Sequence, residues 1–256
     1  MPEYECLTMK KTVAIVEARM GSSRLPGKVM ADINGQPAMS RLITRLSFAG
    51  SLDDIVIATT VNEKDDILED WGRKNSIKVY RGSEEDVLNR VVRAADSVSA
   101  ETIVEINGDC ILTDPVIVDE AVSAYQSGNF DVVTNCGNLL TYPMGVYAQV
   151  FSAKTLSWVD QNIKEDVYVR EHVSIYFYEN MDRYRVYEMV ADESIQYPNW
   201  RFHLDYPEDL EFLREIYKNL EPRMGDRFTT ADVVAFLKKN QDVQEINKYC
   251  AETARR

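Results

Sequence analysis

Histidine is nearly absent from the 256-residue chain: only His172 and His203 occur, too far apart for an H-x-x-x-H zinc site. Cysteine is scarce as well. Cys6, Cys110, Cys136 and Cys250 form no C-x-x-C pair, which points to reduced thiols in a cytoplasmic protein. There is no G-x-S-x-G, so a hydrolase nucleophile elbow is not expected. No two aspartates stand two positions apart, so the D-x-D usual in metal-dependent sugar transferases is missing. No two of the 11 glycines are two positions apart either, which removes the dinucleotide fingerprint G-x-G-x-x-G. Apolar runs stay far below the roughly 20 residues of a membrane span. Residues 1–10 carry no apolar core of a signal peptide. Positive charge is in deficit: 29 Lys and Arg against 42 Asp and Glu give a net charge of -13. That balance argues against nonspecific nucleic-acid binding and against anionic membranes, and it makes any cluster of cations conspicuous.

Such a cluster follows the first apolar run. Residues 13–30 read V-A-I-V-E-A-R-M-G-S-S-R-L-P-G-K-V-M. Val13 to Val16 has the β-branched content of a buried strand. The loop after it contains Gly21, Ser22, Ser23, Pro26 and Gly27, and sets Arg19, Arg24 and Lys28 against one anion, Glu17. In an α/β sheet, ligands sit at the carboxyl ends of strands. Glycine lets the backbone approach an anion, and Arg and Lys supply charge-assisted donors to phosphate oxygens. The loop therefore reads as a polyphosphate cradle. It is not a Walker A loop, because five residues separate Gly21 from Gly27 and Val29 stands where the Mg²⁺-binding hydroxyl should follow Lys28.

Residues 1–11 read as a loose leader and 32–35 as a turn. Strands are expected at 12–17, 54–59, 78–81, 102–106 and 131–134, and helices at 37–48, 65–74, 84–98 and 115–125. Ser83 reads as the cap of the third helix, and Pro115 as the first residue of the fourth. Four rounds of strand then helix imply an α/β fold with a largely parallel sheet and right-handed crossovers. From residue 141 the pattern changes. Residues 146–151 read as an antiparallel or edge strand, and 153–161 and 170–180 as helices. A strand at 185–190 precedes 200–205. An amphipathic helix spans 207–220, and two more close the chain at 230–239 and 243–251. The length and a hydrophobic content of 45% suit one domain.

The string A-R-M-G-S-S-R-L-P-G-K at 18–28 closely resembles the signature loop of the sugar-activating cytidylyltransferases, the CMP-sialate and CMP-KDO synthetases, and most of all their SpsF-like spore coat polysaccharide branch. The likeness extends over about residues 11–220. It implies a Rossmann-like three-layer α/β/α nucleotidyltransferase fold, mostly parallel, with a small antiparallel dimerisation subregion. A single domain would comprise a nucleotide-binding half at 12–135, an acceptor and dimerisation half at 136–220, and C-terminal helices at 221–256. The implied reaction is Mg²⁺-dependent nucleotidyl transfer from CTP, or another nucleoside triphosphate, to a small sugar or acid, with release of pyrophosphate. The implied enzyme is a homodimer with no nucleic-acid or membrane partner, joined through the aromatic-rich stretch 142–178.

Carried over position by position, the likeness gives the nucleotide Glu17, Ala18, Arg19, Gly21, Ser22, Arg24 and Lys28 of the loop. It adds Ser83, Asp86 and Arg90 of R-G-S-E-E-D-V-L-N-R, and then Asn107 and Gly108. Arg19, Lys28 and Asp109 would be catalytic. Asp109 of N-G-D-C-I-L-T-D-P and Asp205 of R-F-H-L-D-Y-P-E-D-L would hold Mg²⁺. Tyr142, Arg170, Glu171 and His172 would face the acceptor. The chain departs from the family at Glu17, where glutamine is usual, and at Asn89, where an aspartate is expected. In T-Y-P-M-G-V-Y-A-Q-V-F-S at 141–152, Met144, Tyr147 and Gln149 replace the three acidic positions of T-Y-P-D-G-L-D-V-E-V-F-S. A less acidic, more aromatic acceptor pocket is therefore expected.

Without the likeness, the same residues have plainer uses. Asp109 caps a turn, Asp205 caps the helix at 207, Arg170 and Glu171 form an exposed ion pair, and His172 is a satisfied histidine. Two other functions stay open. One is a glycosyltransferase of polysaccharide assembly, weakened by the missing D-x-D. The other is a nucleotide-binding scaffold without turnover, favoured by Met144, Tyr147 and Gln149.

Overall fold

A computed structural model describes residues 10–250; most of the expected leader, Cys6 and the last six residues lie outside it. The first half of the chain runs β1 (Thr12–Glu17), β2 (Asp32–Ile33), β3 (Gln36–Pro37), α1 (Ala38–Leu46), β4 (Asp54–Thr60), α2 (Asp66–Lys74), β5 (Lys78–Gly82), α3 (Val87–Ser97), β6 (Thr102–Asn107) and α4 (Pro115–Gln126). The second half runs β7 (Val132–Thr134), β8 (Gln149–Ser152), α5 (Ala153–Asn162), α6 (Val167–His172), α7 (Ile175–Tyr178), β9 (Val186–Glu188), α8 (Pro207–Met224), α9 (Thr230–Leu237) and α10 (Gln241–Gln244).

Seven strands form one sheet in the order β5-β4-β1-β6-β8-β7-β9. β5, β4, β1 and β6 are parallel neighbours, β8 runs antiparallel between β6 and β7, and β9 pairs parallel to β7. β2 and β3 make a separate antiparallel ribbon where a simple turn is expected from sequence. β1 shows why the fold has three layers. Its side chains alternate between faces, and both faces are dry. Ala14 and Val16 join a core closed by α1, α4, α8 and α9, whereas Val13 and Ile15 join the opposite core under α3, α5, α6 and α7. The C-terminal segment completes the first core with Phe228, just before α9, and Val233 and Leu237 within it.

Local chemistry moves several boundaries. α3 begins at Val87, not 84, because the Asp86 carboxylate accepts the Asn89 N–H at 3.0 Å and is the true cap; the Ser83 hydroxyl instead accepts the Asp86 N–H. The helix expected at 170–180 is broken at Val173, whose φ of 46° no helix continues through. Residues 200–205 form no strand beyond a single bridge between Met144 and Arg201. The last expected helix shrinks to Gln241–Gln244, followed by turns, and Ala251 lies outside the described residues. Pro115 does open α4, with the Asp114 side chain as cap.

Candidate active site

β1 and β6 are adjacent and parallel, so their carboxyl ends deliver Glu17 and Asn107 side by side. They can approach because residue 108 is glycine: a Cβ there would lie 2.6 Å from the Glu17 carbonyl oxygen. The cationic loop hangs from this edge and is pinned by its backbone. The Ala18 N–H donates to the Ala58 carbonyl at 3.2 Å, and the Met20 N–H donates to buried Asp65 at 2.7 Å. The N–H groups of Ser22 and Gly27 both donate to the Met20 carbonyl, and Gly27 turns the chain at φ 73°. The loop thus walls a cavity of about 360 Å³, shared with Val87, Arg90, Asn107, Gly108, Asp109 and Asp205.

The charges in this cavity are arranged around Lys28. Its ammonium donates to Asp109 at 2.6 Å and to Asp205 at 2.5 Å. Burial alone would lower the Lys28 pKa, but the two carboxylates outweigh it and raise it. Burial alone would raise Asp205, but Lys28 and Arg24 hold it down at about 2. Asp205 is set in place from behind. Asp209, fully buried, accepts the N–H groups of Asp205 and Tyr206 and pairs with Arg201 at 2.9 Å. Asn247, from the C-terminal segment, donates to Asp209 at 2.9 Å. Burial lowers the His203 pKa, against the opposing charges of Asp109 and Asp205, and its ring meets Tyr147 edge-on. Arg19 is exposed and pairs with Glu84 at 3.1 Å. These donors fit Mg²⁺, since two carboxylates already converge on one cation and Mg²⁺ uses one or two carboxylates with phosphates and water.

A second cavity of about 220 Å³ adjoins the first, and both are lined by Glu17, Asn107, Glu171 and His172. Its remaining wall includes Glu105, Tyr147, Gln149, Tyr168, Ser174 and Tyr178. The break at Val173 creates this wall: α6 delivers Glu171 and His172, and the chain then turns back to present Ser174 and Tyr178.

The structure brings the loop residues Glu17, Ala18, Arg19, Gly21, Ser22, Arg24 and Lys28 into the first cavity together with Arg90, Asn107, Gly108, Asp109 and Asp205. Ser83 and Asp86 are not in its lining, because Ser83 accepts from the Arg90 guanidinium and Asp86 caps α3. Arg170 is buried and turned away from both cavities, with one guanidinium nitrogen on Asp86 at 2.5 Å and on Asp160 at 2.6 Å. Tyr142 is also buried elsewhere, with its hydroxyl toward the Val190 carbonyl. Met144 bridges to Arg201 and lines neither cavity. Sequence reasoning missed Glu84, Glu105 and the Arg201–Asp209 pair. Glu105 had a signal: a carboxylate inside the apolar run I-V-E-I of a buried strand.

Residues 13–238 match the family model described as cytidylyltransferase. The chain is 32% identical over 241 residues to the spore coat polysaccharide biosynthesis protein SpsF of Bacillus subtilis, covering 91% of this chain and 97% of that protein. A solved cytidylyltransferase from Leptospira borgpetersenii superposes with a TM-score of 0.85 at 28% identity, covering 96% of this chain and 100% of that one. A CMP:2-keto-3-deoxy-manno-octonic acid synthetase solved in complex with CTP superposes with a TM-score of 0.60 at 19% identity, over 82% of this chain and 99% of that one, and shows the shared fold.

Proposed function

The chain belongs to the cytidylyltransferase family, and from that premise we propose that it transfers the CMP group of CTP to a small sugar or sugar acid destined for a surface polysaccharide or glycoconjugate. One observation carries the proposal. The family's cationic loop and two carboxylates meet in one cavity, and a second, smaller cavity opens beside it. The first is suited to a triphosphate, the second to an acceptor. In the reaction, an acceptor oxygen forms a bond to the α-phosphorus as the bond to the β-phosphate oxygen breaks, so pyrophosphate leaves. The barrier is chiefly placement and charge neutralisation. Arg19, Arg24 and Lys28 would bind the β- and γ-phosphates, and the backbone N–H groups around Gly21 would add donors. Asp109 and Asp205 would hold Mg²⁺, which supplies charge neutralisation at the phosphates when bound. Glu171 and His172 stand on the wall common to both cavities, where acceptor and α-phosphate would meet.

A melting-temperature panel of CTP, GTP, UTP, ATP and dTTP, each with and without Mg²⁺, tests the nucleotide site. A selective Mg²⁺-dependent rise with CTP is expected, and no rise with any triphosphate would remove the reading. With CTP and an acceptor, released pyrophosphate supports nucleotidyl transfer, whereas nucleoside diphosphate released from a supplied nucleotide sugar would point to glycosyl transfer instead.

A further inference from the structure

The second cavity holds a chemical imbalance. Glu17 and Glu105 come from neighbouring strands, β1 and β6, and both line it. Glu105 is 3% exposed. Burial raises the pKa of both carboxyls, and the charge of Glu17 raises Glu105 further, so the pair resists ionising together. One oxygen of each, Glu17 Oε1 and Glu105 Oε2, is buried with no hydrogen-bond partner among the described residues. Glu171 adds a third carboxylate to the lining, and no lysine or arginine lines this cavity. Arg90 acts on Glu17 from the nucleotide side, but its guanidinium is committed to the Ala58 and Ser83 carbonyls. The Ser174 hydroxyl donates to Gln149 Oε1 at 2.8 Å and lies within hydrogen-bonding reach of Glu105, and the Tyr178 hydroxyl stands between Gln149 Oε1 and Thr134 Oγ1. Tyr147, Tyr168, Tyr178 and the His172 ring bring aromatic faces to the wall, beside Asn107, Cys136 and Ile175.

Buried carboxyls in a cavity lined by no lysine or arginine, beside aromatic faces, are complementary to an organic cation. We infer that the acceptor of this enzyme carries an ammonium group, and that Glu17 and Glu105 bind it. The acidity expected to be lost with Met144, Tyr147 and Gln149 is supplied instead from β1 and β6. An acceptor whose carboxylate entered this cavity would meet three glutamates, so an acid group on the acceptor would lie toward Arg90 and the cations of the first cavity. This inference rests on the proposed function only for the name of the second cavity as the acceptor's.

The test uses the full chain labelled with ¹³C at the glutamate side-chain carboxyls, with Glu17→Gln and Glu105→Gln each assigning one resonance. Propylammonium chloride is titrated in at ionic strength held constant with KCl, and propanol serves as the neutral isostere. The expected result is that both carboxyl resonances move into the ionised range with propylammonium and not with propanol or KCl. Unmoved resonances, or equal movement with propanol, would overturn the inference. A parallel turnover screen compares acceptors that differ only by free amine against N-acetyl group. Free amines are expected to release pyrophosphate at least tenfold faster, and the Glu105→Gln enzyme to lose that preference. The CTP-dependent rise in melting temperature is read separately. If it fails while the carboxyl resonances respond, only the cytidylyltransferase reading falls; if it holds while they stay still, only this inference falls.

Discussion

Lys28 shows how a single side chain can stand in for a ligand. Its ammonium satisfies Asp109 and Asp205 at once, and the same carboxylates are the pair suited to Mg²⁺. Lys28→Met should therefore do two opposite things. Pyrophosphate release should fall about 100-fold, as when one donor to a developing phosphate charge is removed. The rise in melting temperature produced by Mg²⁺ alone should become larger than in the wild type, because no ammonium competes for the carboxylates. An Mg²⁺ titration identical in both proteins would show that Lys28 and the metal do not share these groups. Glu17 makes a separate prediction about pH. Burial, opposed by Arg90, raises it from 4.5 to about 7. Between those values the folded chain keeps a proton that the unfolded chain has released, so stability falls as pH rises through this window and levels off above it. The full effect is at most about 3 kcal/mol. Melting curves at pH 5 and pH 8 should show a smaller loss in Glu17→Gln than in the wild type; equal losses would assign the titration elsewhere.

α3, α5 and α6 are tied together by Arg170, which spans Asp86 at the cap of α3 and Asp160 inside α5. The likeness of Arg170-Glu171-His172 to the family's R-E-H implies an acceptor ligand, but helix geometry points successive residues in different directions, and of these three only Glu171 and His172 reach the cavities. Arg170→Met leaves Asp160 buried without its guanidinium. It should destabilise the chain by about 3 kcal/mol in chemical denaturation. At low temperature, where the variant stays folded, the KM for acceptor should be unchanged; a raised KM with normal stability would return Arg170 to the acceptor site. The contrast marks what the sequence could tell. The parallel strands, the cationic loop and the carboxylates Asp109 and Asp205 were legible because each is local: an apolar run, a glycine-bearing turn, a residue at a strand or helix end. The break at Val173, the Asp86 cap and the Glu17–Glu105 contact were not, because each depends on which elements pack together. Val173 takes a positive φ, rare for a β-branched residue, while fully buried, and no local signal announces it.

The whole molecule presents one unfinished edge. β9 ends the sheet and pairs only with β7 among the described strands, so its outer backbone groups have no sheet partner there. Exposed apolar side chains gather around it. Tyr187 lies on β9 itself, Val190 just beyond it, and Leu139, Leu140 and Met181 beside it, with the Leu139 N–H held by Glu188 and Asn138 against Met181. If two copies of the chain associate, this patch is the surface expected to receive the second. It borders the 142–178 stretch expected from sequence, in which Tyr142 proves to be buried. A net charge of -13 on each copy opposes association, so the dimer should tighten as salt screens that repulsion. Sedimentation at micromolar concentration should therefore show a dimer at 0.15 M salt and a larger dimer fraction at higher salt. Leu140→Glu together with Tyr187→Arg should give a monomer with little change in melting temperature, since both side chains are substantially exposed in the single chain. A wild-type monomer, or a double variant that still dimerises, would remove this edge as the interface. The residues proposed to bind CTP all come from a single chain, so a well-folded monomer should still show the CTP-dependent rise in melting temperature; its loss would mean that the second copy completes the site.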